Sequence, residues 1–241
     1  MYYSLVVVAG ILSWCISPVM GGEPIPTLGD QLASMTAASR DKIPGETKAI
    51  LGKALETLEA SGITKKAPTV GQVLPDGNFL DVNGKVVSLY SVIGTGSAII
   101  TFYRGGWCPY CNVQLRAYQQ HLGAIEALGA KLVAITPEKP ENALSTREKN
   151  AIAFPALSDE GNTYARKLGL VFKLDNDMKK VYQGFKIDLA ANQGNETWEL
   201  PLAATFVIDS TRKIRFAFVN TDYKKRAEPT ILVDELRKIQ P

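Results

Sequence analysis

The pattern of apolar and polar residues predicts an α/β unit in the middle of the chain. Two continuous apolar runs, residues 98–103 (AIITFY) and 131–136 (KLVAIT), are rich in β-branched side chains and predict strands buried on both faces. Between them, residues 112–128 have apolar side chains at helical spacing. A strand, a helix and a second strand in this order are typical of a parallel pair joined by a crossover helix.

Two β-hairpins flank this unit and predict a mixed central sheet. Asn83-Gly84 is a strong two-residue turn signal between the apolar residues 79–82 and 86–89. Residues 205–209 and 214–219 form the second predicted hairpin. Hairpins are antiparallel, so their addition to a parallel pair gives a mixed sheet. The same periodicity predicts three further helices, over residues 140–150, 161–168 and 230–239.

The segment before this domain has a helical pattern of its own. Residues 28–40 and 46–60 are each predicted to form a helix, and the second carries apolar side chains at positions 50, 51, 55 and 58. We therefore predict an N-terminal helical extension over residues 23–66, followed by one domain over residues 67–241. The predicted fold class is α/β, with a mixed central sheet flanked by helices, plus this extension.

The first residues differ from all that follows. No charged side chain occurs from Tyr2 to Gly22, and residues 5–16 are nearly all apolar. This run is short for a membrane span and is typical of the apolar region of a signal peptide. We expect residues 1–22 to be cleaved and the mature protein to be periplasmic or secreted, without stable membrane association. An uncleaved anchor and a buried N-terminal helix are the alternatives.

Composition and charge then limit the kind of protein. The chain has 241 residues, of which 46% are hydrophobic and 21% charged, which is enough for one sizeable core. Its net charge of +3 is small and no basic run is interleaved with aromatic residues, so no nucleic-acid partner is expected. Of three cysteines, Cys15 lies in the predicted signal peptide. The other two form one C-x-x-C pair.

The strand over residues 98–103 leads through two glycines into Cys108-Pro109-Tyr110-Cys111 and the predicted helix. Proline is tolerated in a first helical turn, so Pro109 is predicted to open the helix with Cys108 as its cap and Cys111 one turn on. Residues three apart are neighbours on a helix, and its amino end favours a thiolate. Arg104 adds a positive charge if it faces the sulfurs. We therefore predict Cys108, Cys111 and Arg104 as catalytic residues.

Two other interpretations of the pair are weaker. A zinc site would need further ligands, but His121 is the only histidine. A purely structural disulfide would close so small a loop that it would constrain the unfolded chain little. We therefore expect a redox site that needs neither a metal nor an organic cofactor.

Several motifs carry a resemblance to a known family. They are VNGKVVSL at 82–89, Phe102-Tyr103, RGGWCPYC at 104–111, VAITP at 133–137, FPALSD at 154–159 and TFVID at 205–209. In their order and spacing, the chain from Ala67 to Phe218 resembles the alkyl hydroperoxide reductase / thiol-specific antioxidant family, in its peroxiredoxin-like branch with a C-x-x-C motif. The resemblance implies a thioredoxin-like fold for the α/β domain, and a thiol peroxidase with a hydroperoxide substrate and an external, thioredoxin-like thiol reductant.

The resemblance leaves the attacking cysteine open. Aligned without gaps, the family's proline falls on Arg104, its threonine on Cys108, its peroxidatic cysteine on Cys111 and its arginine on Ala203. This alignment implies attack by Cys111, with Arg104 as a replacement for the missing charge. Compared instead with thioredoxins, Cys108 is the attacking thiol and Cys111 the resolving one.

Three functions are consistent with these observations. The first is hydroperoxide reduction through a Cys108/Cys111 dithiol-disulfide cycle. The second is thiol-disulfide exchange on a disulfide substrate without peroxidase activity. The third is a redox-inert binding or scaffold protein, with the N-terminal helices docking a partner.

Two neighbouring features are interpreted structurally. Trp107 is expected to pack against the sheet and shield the sulfurs. Residues 222–226 (DYKKR) are expected to be a solvated loop, with partner docking as the alternative.

Overall fold

A computed structural model describes residues 26–239 of the protein. The predicted signal peptide, with Cys15, lies outside these residues. Within the described part of the chain, no helix combines the length and the apolar character needed to cross a membrane.

A seven-stranded mixed sheet forms the centre of the structure. Its spatial order is β2-β1-β5-β4-β3-β8-β9, and an eighth and a ninth strand, β6 and β7, pair separately. The strands are β1 Asn78–Leu80, β2 Val86–Ser88, β3 Ala98–Phe102, β4 Lys131–Thr136, β5 Ala156–Ser158, β6 Val171–Lys173, β7 Glu199–Pro201, β8 Ala203–Ile208 and β9 Ile214–Asn220. β3 runs parallel to β4 and antiparallel to β8. The predicted mixed sheet and both predicted hairpins are confirmed.

Helices cover both faces of the sheet. They are α1 Leu28–Arg40, α2 Gly45–Ala60, α3 Leu89–Ile93, α4 Pro109–Gln120, α5 Leu122–Ala127, α6 Pro140–Lys149, α7 Thr163–Lys167, α8 Asn176–Gly184, α9 Leu189–Gln193 and α10 Pro229–Lys238. β3 and β8 are buried along their whole length because helices lie on both sides of them. One core lies under α1, α4 and α10, and the other under α3 and α7.

The helix that follows the cysteines is fixed to the sheet by buried polar contacts. Gln114 Nε2 of α4 donates to Thr101 Oγ1 of β3 over 3.0 Å, and that hydroxyl lies 2.9 Å from Thr205 Oγ1 of β8. Tyr118 donates its hydroxyl to the carbonyl of Ala227 over 3.0 Å. These contacts set the position of α4, and therefore of the residues at its amino end.

The first two helices match their sequence prediction and form what we call the N-terminal cover, α1 and α2 together. Thr27 and Asp30 cap α1 reciprocally, and the Glu228 carboxylate accepts hydrogen bonds from the amides of Leu28 and Gly29. α1 packs on α4, and α2 packs on α8. α2 contains no fully buried side chain. The predicted division of the chain at residues 66/67 stays a prediction.

Two predicted helices are shorter than expected. The helix expected over residues 112–128 is two helices, because the amide of His121 bonds to the carbonyl of Tyr118, three residues back, and ends α4 in a tight turn. The helix expected over residues 161–168 begins at Thr163, because Gly161 and Asn162 have φ of 67° and 55°.

The sequence analysis missed β5, the pair β6–β7, and helices α3, α8 and α9. α8 has the clearest signal in retrospect. Asp175 caps it by accepting a hydrogen bond from the amide of Met178 over 2.8 Å. Met178, Val181 and Tyr182 lie at helical spacing and are buried. This omission matters, because α8 contributes Tyr182 to the site described next.

Candidate active site

The two cysteines lie where β3 passes into α4. Cys108 is the N-cap residue of α4, Pro109 is its first residue, and Cys111 lies in the first turn, as predicted. Both cysteines are free thiols with no exposed surface. Each sulfur shifts the pKa of the other thiol, so the two side chains lie close together at the start of α4.

Two glycines let the chain turn from β3 into the cysteine motif. Gly105 has φ of 150°, and a Cβ atom there would overlap the ring nitrogen of Trp107. At Gly106 a Cβ would overlap the hydroxyl of Thr146. The amide of Gly106 donates to Glu138 Oε1 over 2.9 Å, and Thr146 donates to the other oxygen of that carboxylate over 3.2 Å. Glu138 thus positions the turn, and burial raises the pKa of its carboxyl group.

We predict that Gly105→Ala displaces this turn. The added methyl group conflicts with both the backbone angle and Trp107, so we expect the free energy of unfolding to fall by about 2 kcal/mol or more. Gly52→Ala in α2 is the matched control, because no atom lies within 4 Å of the Cβ position there. It should raise the free energy of unfolding by about 0.5–1 kcal/mol. Urea titration measures both, and an unchanged Gly105→Ala variant would contradict the steric argument.

Arg104 faces the sulfurs. Its guanidinium is buried, and Nη2 donates to Cys108 Sγ over 3.0 Å. Nη1 donates to the hydroxyl of Tyr182 over 3.0 Å, and the guanidinium carbon lies 4.0 Å from the ring centre of Tyr223. Trp107 completes this enclosure, with its ring centre 5.1 Å from the guanidinium carbon of Arg104. The predicted placement of Arg104 beside the cysteines is confirmed, and its catalytic role stays a prediction.

A second arginine, which the sequence analysis missed, lies on the other cysteine. Arg226 is 8% exposed, and its Nη2 donates to Cys111 Sγ over 3.4 Å. The interpretation of residues 222–226 as a solvated loop is therefore wrong for Arg226 and for Tyr223, which encloses Arg104. The loop folds inward because Ala227 and Pro229, directly after it, are buried at the start of α10. No spacing in the sequence connects position 226 with position 111.

The environment shifts the pKa values of the two thiols in opposite directions. Burial alone would raise the pKa of Cys108, but the hydrogen bond from Cys111 and the guanidinium groups of Arg104 and Arg226 hold that pKa well below its ordinary value. Burial raises the pKa of Cys111 well above its ordinary value, and the nearby sulfur of Cys108 raises it further. These opposite shifts favour the thiolate at Cys108 and the thiol at Cys111, which are the forms that a nucleophile and its resolving partner need.

Trp107 packs against helix α8 and also against the core cluster that contains the cysteines and buried residues of β3, β4 and β8. Its ring meets that of Tyr182 edge-to-face, with 5.4 Å between centroids. The ring lies beside Arg104, so it shields from water the guanidinium group that contacts Cys108.

Two cavities lie between the N-terminal cover and the sulfur site. One, of about 220 Å³, opens between α2 and β6 and is largely lined by apolar side chains such as Leu58 and Phe172. The other, of about 350 Å³, lies beneath α1 and α2 and is lined by Met35 and Phe185 among others. Both are bounded by Leu51 of α2 and by Arg104, Tyr182 and Tyr223. The cover thus forms one wall of the two cavities that reach Arg104.

Comparison with known proteins identifies a family that matches most of the α/β domain. The AhpC/TSA family matches residues 70–217. The chain is similar to peroxiredoxin Bcp of Escherichia coli, with 24% identity over 168 residues, which is 70% of this chain and 95% of that protein.

Solved structures give the same picture. The chain is similar to peroxidoxin BcpB from Mycobacterium tuberculosis, with a TM-score of 0.56 and 19% identity over 71% of this chain and 98% of that one. It is also similar to AhpC of Enterococcus faecalis, with a TM-score of 0.54 and 19% identity over 71% and 92% of the two chains. These likenesses confirm the predicted thioredoxin-like fold. The matched residues include both cysteines and Arg104 but not Arg226, α1 or α2.

Proposed function

This chain belongs to the AhpC/TSA family, and from that membership we propose that it is a thiol-dependent peroxidase in which Cys108 is oxidised first and Cys111 resolves it. The observation that carries the order of the two cysteines is the hydrogen bond from Arg104 to Cys108 Sγ, 3.0 Å long and buried. A thiolate is the nucleophile in peroxide reduction, and a buried cation in contact with the sulfur favours the thiolate. This proposal differs from the gapless family alignment, which puts the peroxidatic cysteine on Cys111.

The first step is attack of the Cys108 thiolate on the terminal oxygen of a hydroperoxide. The O–O bond breaks, an S–O bond forms, and the leaving alkoxide takes up a proton, so that the products are Cys108 sulfenic acid and an alcohol or water. Arg104 holds the thiolate before attack. Its Nε has no hydrogen-bond partner within residues 26–239 and is a donor left free for a peroxide oxygen.

The second step joins the two sulfurs. The Cys111 thiol condenses with Cys108 sulfenic acid, giving the Cys108–Cys111 disulfide and one water. Two equivalents of an external thiol then return the disulfide to the dithiol and leave as a disulfide themselves. Arg226 acts on this half of the cycle, because its contact with Cys111 Sγ favours the anion that condensation needs.

A competing function, thiol-disulfide exchange without peroxidase activity, uses the same thiolate. One experiment separates the two. Reduced protein is mixed with stoichiometric hydrogen peroxide or an organic hydroperoxide and, separately, with an oxidised protein disulfide, and the fluorescence of Trp107 beside the site reports oxidation. We expect rapid oxidation by the hydroperoxides. Reduction of the protein disulfide by an enzyme that ignores peroxide would replace our proposal with the thioredoxin-like function.

The reaction is also proposed to take place outside the cytoplasm, in the periplasm or after secretion. Support comes only from the uncharged segment from Tyr2 to Gly22 and its apolar run.

A further inference from the structure

A basic cleft lies on the side of the site away from the two apolar cavities. It has a volume of about 680 Å³ and separates α1 from the segment between β9 and α10. Four cationic side chains line it: Arg40, Lys224, Lys225 and Arg226. We call these four residues and the space between them the basic cleft.

The cations of the basic cleft have no anionic partner among residues 26–239, where none of the four forms an ion pair. Asp222 lines the same cleft, but its carboxylate accepts a hydrogen bond from the amide of Lys224. Glu228 is occupied by the amides at the start of α1. The cleft therefore carries an excess of positive charge that an anionic ligand would neutralise.

Arg226 connects the cleft to the redox pair. Its Nη2 reaches Cys111 Sγ, while Nε and Nη1 have no hydrogen-bond partner among residues 26–239. A buried guanidinium with two free donors is costly unless a ligand satisfies them. Because this side chain touches Cys111 and also lines the cleft, an anion bound there lies near the sulfur that must be reduced.

We propose that the basic cleft binds the carboxylates of a small anionic thiol, and that this thiol is the reductant of the Cys108–Cys111 disulfide. The inference rests on the proposed function, since it assumes a disulfide that must be recycled. A small molecule is favoured over a protein because neither sulfur has exposed surface, and α1 lies over them through Leu28 and Leu32.

The chemistry of reduction fits this direction of approach. The thiolate of the bound reductant attacks Cys111 Sγ, forming a mixed disulfide on Cys111 and breaking its bond to Cys108. The departing sulfur becomes the Cys108 thiolate, which Arg104 stabilises, and a sulfur with a low pKa leaves faster. A second molecule of thiol then attacks the mixed disulfide, releasing the reductant as its own disulfide and Cys111 as the thiol. Two thiols supply the two electrons and two protons.

The test measures reduction of the Cys108–Cys111 disulfide after the protein has been oxidised with diamide, so the test does not depend on peroxide. The reductants are mercaptosuccinate, which carries two carboxylates, neutral 2-mercaptoethanol and a thioredoxin. The rate constant for each is divided by its thiolate concentration before the three are compared. The double variant Arg40→Gln/Lys225→Gln removes two exposed cations of the cleft. Lys131→Gln/Lys167→Gln removes two exposed cations elsewhere and is the matched control.

We expect the cleft variant to slow reduction by mercaptosuccinate about tenfold, and reduction by 2-mercaptoethanol less than twofold, while the control changes neither. Added salt should slow reduction by mercaptosuccinate but not reduction by 2-mercaptoethanol. Equal rates for the cleft variant and wild type with mercaptosuccinate, or faster reduction by thioredoxin than by any small thiol, would overturn the inference. Peroxide consumption with dithiothreitol, measured on the same preparations, tests the proposed function separately.

Discussion

Replacing Cys108 with serine is expected to abolish peroxide consumption, lowering the rate at least about 10³-fold. The hydroxyl of serine stays protonated near neutral pH, so Arg104 would then hold a neutral oxygen instead of an anion. Cys111→Ser is expected to behave differently. Its Cys108 thiolate keeps the contact with Arg104 and should still consume one equivalent of peroxide per protein.

The two variants are distinguished by what accumulates. In Cys111→Ser the Cys108 sulfenic acid has no resolving thiol and should be labelled by dimedone in high yield, whereas Cys108→Ser should show no labelling. Wild type should pass through the sulfenic acid to the disulfide. The reverse pattern, with labelling in Cys108→Ser only, would mean that Cys111 attacks and that the gapless family alignment identifies the peroxidatic cysteine correctly.

The second large effect concerns Arg104. Because its charge and hydrogen bond contribute to the low pKa of Cys108, Arg104→Gln should move that pKa up toward the ordinary cysteine value, about 8.5. The thiolate fraction at pH 7 then falls, and with it the rate of peroxide reduction, by about 30- to 100-fold. The direction of the pH dependence follows because the thiolate, and not the thiol, attacks the peroxide. Because the pKa of Cys108 is lowered in wild type, its rate should depend less steeply on pH around neutrality than that of the variant, which should gain rate as pH rises.

Two companion variants protect this prediction from a trivial explanation. Arg104→Lys keeps the charge and should keep most of the shift in the pH profile. Arg166→Gln removes a largely exposed arginine that pairs with Glu199 and should leave the profile unchanged. If Arg104→Gln folds normally by circular dichroism and its profile matches that of wild type, Arg104 does not set the pKa of Cys108.

Local sequence patterns predicted the centre of the fold because each pattern there is strong. The buried runs of β3 and β4, the Asn83-Gly84 turn and the proline after Cys108 each determine their own backbone. The strands that were missed, β5, β6 and β7, have three residues each, which is too short for a period to be visible. Their existence depends on neighbouring strands, so it is a tertiary property.

The site was predictable only along one stretch of chain. Cys108, Cys111 and Arg104 lie within eight positions, and their proximity follows from strand, turn and helix. Tyr182 and Arg226 reach the same point from α8 and from the segment before α10, which are distant in sequence. A positive charge among other charges, as in residues 222–226, is most often solvated, and only the packing of Ala227 draws Arg226 inward.

The helix α2 has a consequence for how such a protein diversifies. It shapes both apolar cavities near Arg104, yet it buries none of its own residues completely and lies before the residues that the family shares. Amino-acid changes along its inner face therefore alter which molecules reach the thiolate at little cost to folding. One wall of these cavities is thus encoded apart from the reacting cysteines, so an engineer could vary that wall without changing the cysteine motif.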